Sequence, residues 1–337
     1  MAYQNVGTPR FYINIVEWLK INGVITLSGS WDESIWNTLP VIPTYYASNI
    51  SEDGVPPDLS FPTNVLTPYS FLAILGHDMP TSNPDYGFYI QAEGTNIATQ
   101  NVVNSLNIGQ HQSTIYNGFS IGTFNGVDID NIHILAKGNV GSMVLGTYYD
   151  MPHSPDLNLT MTREYGGVKT IETKGGASLS NTMWSKPPKW GDSLGAWELS
   201  DQGSQWNLTH QPLSRSGRRV WDLSFSYLDD GDVFGPNQSI TSGEAGVQNP
   251  DLLDDGDYYT DPPHTNTFRK DLLTDDNFYS QVIHKTNGGQ LPFIFQADKN
   301  NNNADGFAIC KFDMKEFKFE QVANGVYNMK LKIREVW

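Results

Sequence analysis

From Tyr327 the side chains alternate, with Tyr327, Met329, Leu331, Ile333 and Trp337 on one face and Asn328, Lys330, Lys332 and Arg334 on the other. That is the period-two pattern of a half-buried strand. Residues 317–321 precede it across Asn324-Gly325, so the pattern predicts a β-hairpin that runs to the last residue. An aromatic final residue on the apolar face points to a chain end tied into a sheet or a subunit contact. Residues 220–228 repeat the pattern, with Trp221, Leu223, Phe225 and Tyr227 on one side and Asp222, Ser224 and Ser226 on the other. Residues 70–79 differ: Phe71, Ala73 and Leu75 oppose Leu72 and Ile74, the two-sided apolarity of a central strand.

Further strands are predicted over residues 86–91, 113–123, 131–136, 142–148, 168–172, 291–295 and 307–312, with glycine and asparagine turns between them. A compact periodic piece, residues 11–19, opens the chain and needs a partner elsewhere. One helix is predicted over residues 274–285: Asp271 or Thr274 caps it, Phe278, Val282 and Ile283 form its apolar stripe, and Gly288 and Gly289 end it. Residues 174–191 hold GG, PP and two tryptophans and read as a loop with aromatic anchors. Residues 229–263 lose periodicity and carry DDGD twice, which marks a long acidic loop of functional or intermolecular use.

With 337 residues, two units are the expectation. The break falls near YDMPHSP, residues 149–155. Nine Trp, 16 Tyr, 16 Phe, 31 Gly and 19 Pro describe an aromatic, turn-rich chain and favour strands over helices. The fold class is therefore mainly β, of sandwich, barrel or jelly-roll type.

A net charge of -16 opposes wrapping around nucleic acid, whose phosphates need a basic footprint. No stretch approaches the roughly 18 apolar residues of a membrane helix, and the first residues lack an export pattern. The single cysteine, Cys310, excludes an internal disulfide and a four-cysteine zinc site, and reads as a buried strand thiol.

Candidate chemistry is sparse. The run DKNNNNADG, residues 298–306, offers oxygen ligands for calcium, but Asn303 and Ile309 occupy the glycine and glutamate places of an EF-hand loop, so a solvated hairpin turn is the preferred reading. The seven histidines form no metal-helix pair, and nucleophile-elbow, phosphate-loop and dinucleotide motifs are absent from the sequence. Neither catalytic residue nor cofactor nor metal is assigned. Surfaces are more suggestive. Trp184 and Trp190 flank a Lys-Pro-Pro-Lys stretch and serve either as interface anchors or as anchors of a long loop to its own core. Arg215, Arg218 and Arg219 form a basic cluster that could meet an acidic loop of an identical subunit, and Trp337 joins them as a candidate interface residue. His77 and Asp78, at the end of the central strand, form a candidate ligand rim.

The run SGRRVWDLSFSYLDDGDVF, residues 216–234, and residues 291–337 resemble structural proteins of tailed bacteriophages, particularly marine ones. YSFLAILGHDM, residues 69–79, resembles a strand of the galactose-binding-like jelly rolls such proteins carry. Together these stretches cover about a quarter of the chain. The resemblance implies a distal-tail-like ring protein without enzymatic activity, linking the tail tube to the hub or tip and located in the tail or baseplate of the virion after synthesis in the host cytoplasm. Its partners would be identical subunits and neighbouring tube, hub or baseplate proteins. It implies a tube-like body, residues 1–30 and 152–337, flanked by the one helix and carrying an inserted jelly roll at residues 31–151. The alternatives are a carbohydrate-binding virion protein that meets a host surface glycan, or another virion component such as a capsid decoration protein.

Overall fold

The computed structural model describes residues 6–25, 33–38, 58–60, 69–75, 87–92, 95–96, 105–108, 111–114, 119–127, 131–137, 141–164, 168–182, 218–233, 276–303 and 306–336. Trp184, Trp190, Arg215, Trp337, His77 and Asp78 lie outside them, as do most of the long acidic loop and the two residues expected to cap the helix.

The chain opens with strand β1 (Arg10–Asn14) and runs directly into helix α1 (Ile15–Ile21). There follow β2 (Asp58–Ser60), β3 (Tyr69–Leu75), β4 (Gly87–Ala92), β5 (Thr95–Asn96), β6 (Ser105–Ile108) and β7 (His111–Thr114). Next come β8 (Phe119–Val127), β9 (Asn131–Lys137), β10 (Ser142–Asp150) and β11 (Thr160–Glu164). A hairpin of β12 (Val168–Glu172) and β13 (Ser178–Thr182) leads towards β14 (Arg218–Asp229) and the short helix α2 (Asp230–Val233). The last elements are a π-helical turn (Tyr279–Ile283), a 3₁₀ turn (His284–Thr286), β15 (Phe293–Gln296), β16 (Phe307–Phe312), β17 (Phe319–Ala323) and β18 (Val326–Glu335).

A ten-stranded antiparallel sheet organises the molecule, in the order β11-β14-β18-β16-β15-β1-β10-β3-β8, with β17 added alongside β18. Its centre is apolar on both faces. Phe11, Leu72, Ile74, Met143, Leu145, Phe293, Phe295 and Cys310 point into one core. Tyr12, Phe71, Ala73, Val144, Ile294 and Ile309 point into the other. Strands buried on both sides read as continuous apolar runs, which is why residues 69–75 lacked polar alternation. At the β14–β18 end the first face is covered by Trp221, Leu223, Phe225, Tyr327, Met329, Leu331 and Ile333, while most residues of the other face are partly or fully exposed. The alternation there is correspondingly clean.

Both helical pieces cover the first face. Ile15, Val16, Trp18 and Leu19 come from α1, and Phe278, Val282 and Ile283 from the segment around the π turn. The expected apolar stripe is thus correct. The cap is Asn277, whose Oδ1 accepts from the Ser280 N–H at 2.9 Å. Asn287, with φ 50, and the glycines after it turn the chain out of the helix. The opening periodic piece divides into strand and helix at Asn14. Its Oδ1 accepts from the Glu17 N–H at 3.1 Å, and its Nδ2 donates to the Trp36 carbonyl at 2.9 Å and to Thr38 Oγ1 at 3.0 Å. Opposite Asn14 in the ladder stands Gly146. A Cβ at Gly146 would lie 1.8 Å from the Ile13 carbonyl oxygen, so the strands approach there only because the side chain is missing.

Sheet pairing differs from the expected division of the chain. β10 lies between β1 and β3, so strands of the proposed insert (β3, β8 and β10) share a sheet and a core with strands of the proposed body. A second, six-stranded sheet is built within residues 58–137 from β2, β9, β4, β7 and β6, with β5 on β4. The single strand expected over residues 113–123 resolves into β7 and β8, which belong to different sheets. The loop expected from Lys174 contains β13, paired with β12 from Val168↔Thr182 to Glu172↔Ser178. Its sequence, SLSNT, carries too little apolar alternation to announce a strand.

Candidate assembly surface

Arg218 and Arg219 begin β14, and the structure separates them. Arg219 is internal: its side chain is 7% exposed and that of its partner Glu335 is 1% exposed. Glu335 Oε2 accepts from the Arg219 backbone N–H at 2.9 Å and from Nε at 3.2 Å, while Oε1 accepts from Nη2 at 3.2 Å. Nη2 also donates to the Phe307 carbonyl at 2.7 Å, and the guanidinium lies 5.1 Å from the Trp221 ring centre. A planar, five-donor group meets a carboxylate in two places and caps a neighbouring strand, the arrangement a buried charge pair needs. Arg219 therefore ties β14 to β16 and β18 within one chain and does not face a neighbour. Arg218 is half-buried, in register with Glu164 of β11.

Glu335 was the residue the sequence missed. Period-two counting from Tyr327 places it on the apolar face between Ile333 and Trp337, and a charge at such a position is the signal of a buried partner. Other charges are also paired inside the chain. Asp150 accepts from Arg10 Nη2 at 2.9 Å and from Lys299 Nζ at 3.2 Å. Burial pushes the Asp150 carboxyl up, but these two cations outweigh it and hold it below the usual carboxylate range. Glu17 shows the reverse balance. Burial dominates and raises its carboxyl although Thr38 donates both its N–H, at 3.0 Å, and its hydroxyl, at 2.6 Å. Burial also pushes the Cys310 thiol well up, in keeping with an inert core residue.

In the run considered for calcium, side chains bond to the run's own backbone. Asp298 Oδ1 accepts from the Asn300 N–H at 3.0 Å, and Asn301 Oδ1 from the Asn303 N–H at 3.1 Å, local turns that join β15 to β16. In the first DDGD stretch Asp229 and Asp232 accept each other's backbone N–H groups, at 2.9 and 3.1 Å. No group of three or more His, Cys, Asp or Glu side chains suited to a metal ion occurs among the described residues. Nor is any helix among them long and apolar enough to cross a membrane.

Two exposed features stand out instead. The first is the β12–β13 hairpin, a separate two-stranded sheet in which every side chain from Thr170 to Ser180 faces solvent. Ile171 and Leu179 are cross-strand partners in it, 56% and 62% exposed. The second is a bulge in β14. Phe225 pairs with Met329 and Leu228 with Tyr327, so three steps on β14 match two on β18. The extra residue breaks the alternation: Leu228 takes the buried place, and Tyr227 is turned out at φ 63, 82% exposed. Next to it, Ser226 Oγ donates to Asp156 Oδ2 at 2.8 Å, and the residue after Asp156, Leu157, is 86% exposed.

The class of protein these elements define is mainly β, built on a large antiparallel sheet. Neither a family model nor a curated protein sequence matches the chain. Among solved structures, a DUF4466 family protein from Parabacteroides merdae aligns over 83% of this chain and 90% of its own, at 10% identity and a TM-score of 0.14. A superposition of that quality defines no shared fold.

Proposed function

We propose that the chain is a non-enzymatic structural subunit of a tailed-phage virion, forming a ring at the tail or baseplate in the manner of a distal tail protein. The observation that carries this reading is the β12–β13 hairpin. A two-stranded hairpin alone in water is marginal at best, and one that holds an apolar cross-strand pair in solvent is built to be covered. The resemblance of residues 216–234 and 291–337 to phage structural proteins supplies the setting. In that setting the ten-stranded sheet is the wall of a tube-like body, and the six-stranded sheet within residues 58–137 is what a jelly-roll insert contributes beyond it. The net charge of -16 also suits a wall along which DNA passes, since repulsion from phosphate discourages sticking.

Electron microscopy of purified virions labelled against this chain tests the reading. Label at the tail or baseplate is the expected result. Label on the capsid shell, or particles without label, rejects it.

A further inference from the structure

We propose that the two exposed features are the two halves of one contact between copies: the β12–β13 hairpin of one subunit docks its Ile171–Leu179 pair on the Tyr227–Leu157 edge of the next. The proposal deepens the reading of the chain as a self-assembling subunit and rests on it for its biological setting.

Both halves are apolar and both are exposed, so within one chain they do not cover each other. Their charges are complementary. The hairpin itself, residues 168–182, carries Lys169 and Lys174 against Glu172, a balance of two basic to one acidic. The whole chain holds 21 basic and 37 acidic residues, so the remainder has 19 against 36. Lys174, exposed at the hairpin tip, belongs to the one side, and exposed Asp229, two residues beyond Tyr227, to the other. Tyr227 has the properties of an anchor. It is a large amphipathic ring held out by a backbone at φ 63, the left-handed region that side chains other than glycine rarely adopt. Ser226 and Asp156 fix the bulge that presents it.

The occupant is a second copy because the complementary surfaces are carried by the same chain at different places. Such a contact is heterologous: each subunit gives its hairpin to one neighbour and receives a hairpin from the other. Repetition closes a ring or extends a filament.

Variants with one added cysteine test the contact, since the native Cys310 is fully buried and does not compete. Leu179→Cys and Tyr227→Cys proteins are mixed and mildly oxidised, with disulfides mapped by mass spectrometry. The expected product is a 179–227 disulfide between chains, forming faster in the mixture than either homodimer. Lys174→Glu slows that cross-link about tenfold or more, and Asp229→Lys in the opposing copy restores it. A dominant 179–179 cross-link overturns the proposal in favour of hairpin-to-hairpin pairing. Absence of any cross-link, with wild-type chain monomeric in sedimentation at high concentration, also overturns it. The two readings fail separately: a 179–227 cross-link with virion label off the tail rejects only the tail assignment, and tail label without the cross-link rejects only this contact.

Discussion

Two of the hairpins among the described residues, β17–β18 and β12–β13, fare differently. β17–β18 turns at Asn324-Gly325, with Gly325 at φ 66 beside a bulge between Gln321 and Ala323. β12–β13 turns at Gly175-Gly176, with Gly176 at φ 80. What separates them is the third strand. β18 lies between β14 on one side and β16 and β17 on the other, so its backbone groups are paired along both edges and its apolar face is covered. β12 and β13 pair only with each other among the described strands. The first hairpin is held by the fold, whereas the second has no such neighbour among the described strands.

Substitutions can break this contrast, and the largest effect belongs to the end of β18. Glu335→Ala leaves the Arg219 guanidinium buried without its carboxylate, and should cost about 3–5 kcal/mol in urea unfolding. Replacing both, as Arg219→Met with Glu335→Leu, should recover most of that loss, because an apolar pair of similar volume needs no counter-charge. A smaller loss in Glu335→Ala than in surface controls would show that the end of β18 is not anchored as described.

Next in size is truncation of the apolar face itself. Leu331→Ala should destabilise by about 2–5 kcal/mol, from lost burial plus the cavity it leaves. Gly325→Ala should cost less, about 1–2 kcal/mol, since a side chain at φ 66 is strained without any clash.

The pH dependence should come from two carboxyls of opposite sign. Asp150 has a folded pKa below its unfolded value, so its contribution is present above the unfolded pKa and fades as pH falls through the folded one. Asp150→Asn should therefore flatten the acid limb of denaturant midpoints measured between about pH 2 and 5. Glu17 has a raised folded pKa, so its contribution is full below the unfolded value and is lost as pH rises through the folded one. Glu17→Gln should remove a decline on the other limb, above about pH 4.

The smallest effect belongs to the exposed hairpin. Leu179→Ala should leave subunit stability within about 0.5 kcal/mol, the range of surface changes, although it removes the same atoms as Leu331→Ala. A loss as large as that of Leu331→Ala would show that the hairpin is part of the subunit core.

The strands were legible wherever burial followed a simple period. The one-sided alternation of β18 and the two-sided apolarity of β3 each named the right face, and the stripe Phe278, Val282 and Ile283 named the helical side. Three things depended on partners far along the chain. Glu335 meets Arg219 across 116 residues, so a cluster of arginines in the sequence looked like surface charge. Tyr227 continued a perfect alternation and is exposed because β18 offers one residue fewer opposite it. The place of β10 between β1 and β3 is a non-local choice that joins segments a linear reading would assign to different domains. The hairpin was half visible, since β12 carries Val168 and Ile171 but β13 is almost wholly polar.

Gly146 bears on sequence variation. The Ile13 carbonyl oxygen occupies the space where any β-carbon would sit, and this oxygen belongs to the backbone at the junction of β1 and α1, where no rotamer change can yield. In a saturation library selected for folded protein, position 146 should return glycine alone, while positions 171 and 179 accept many residues. The position least open to change would then carry no side chain at all.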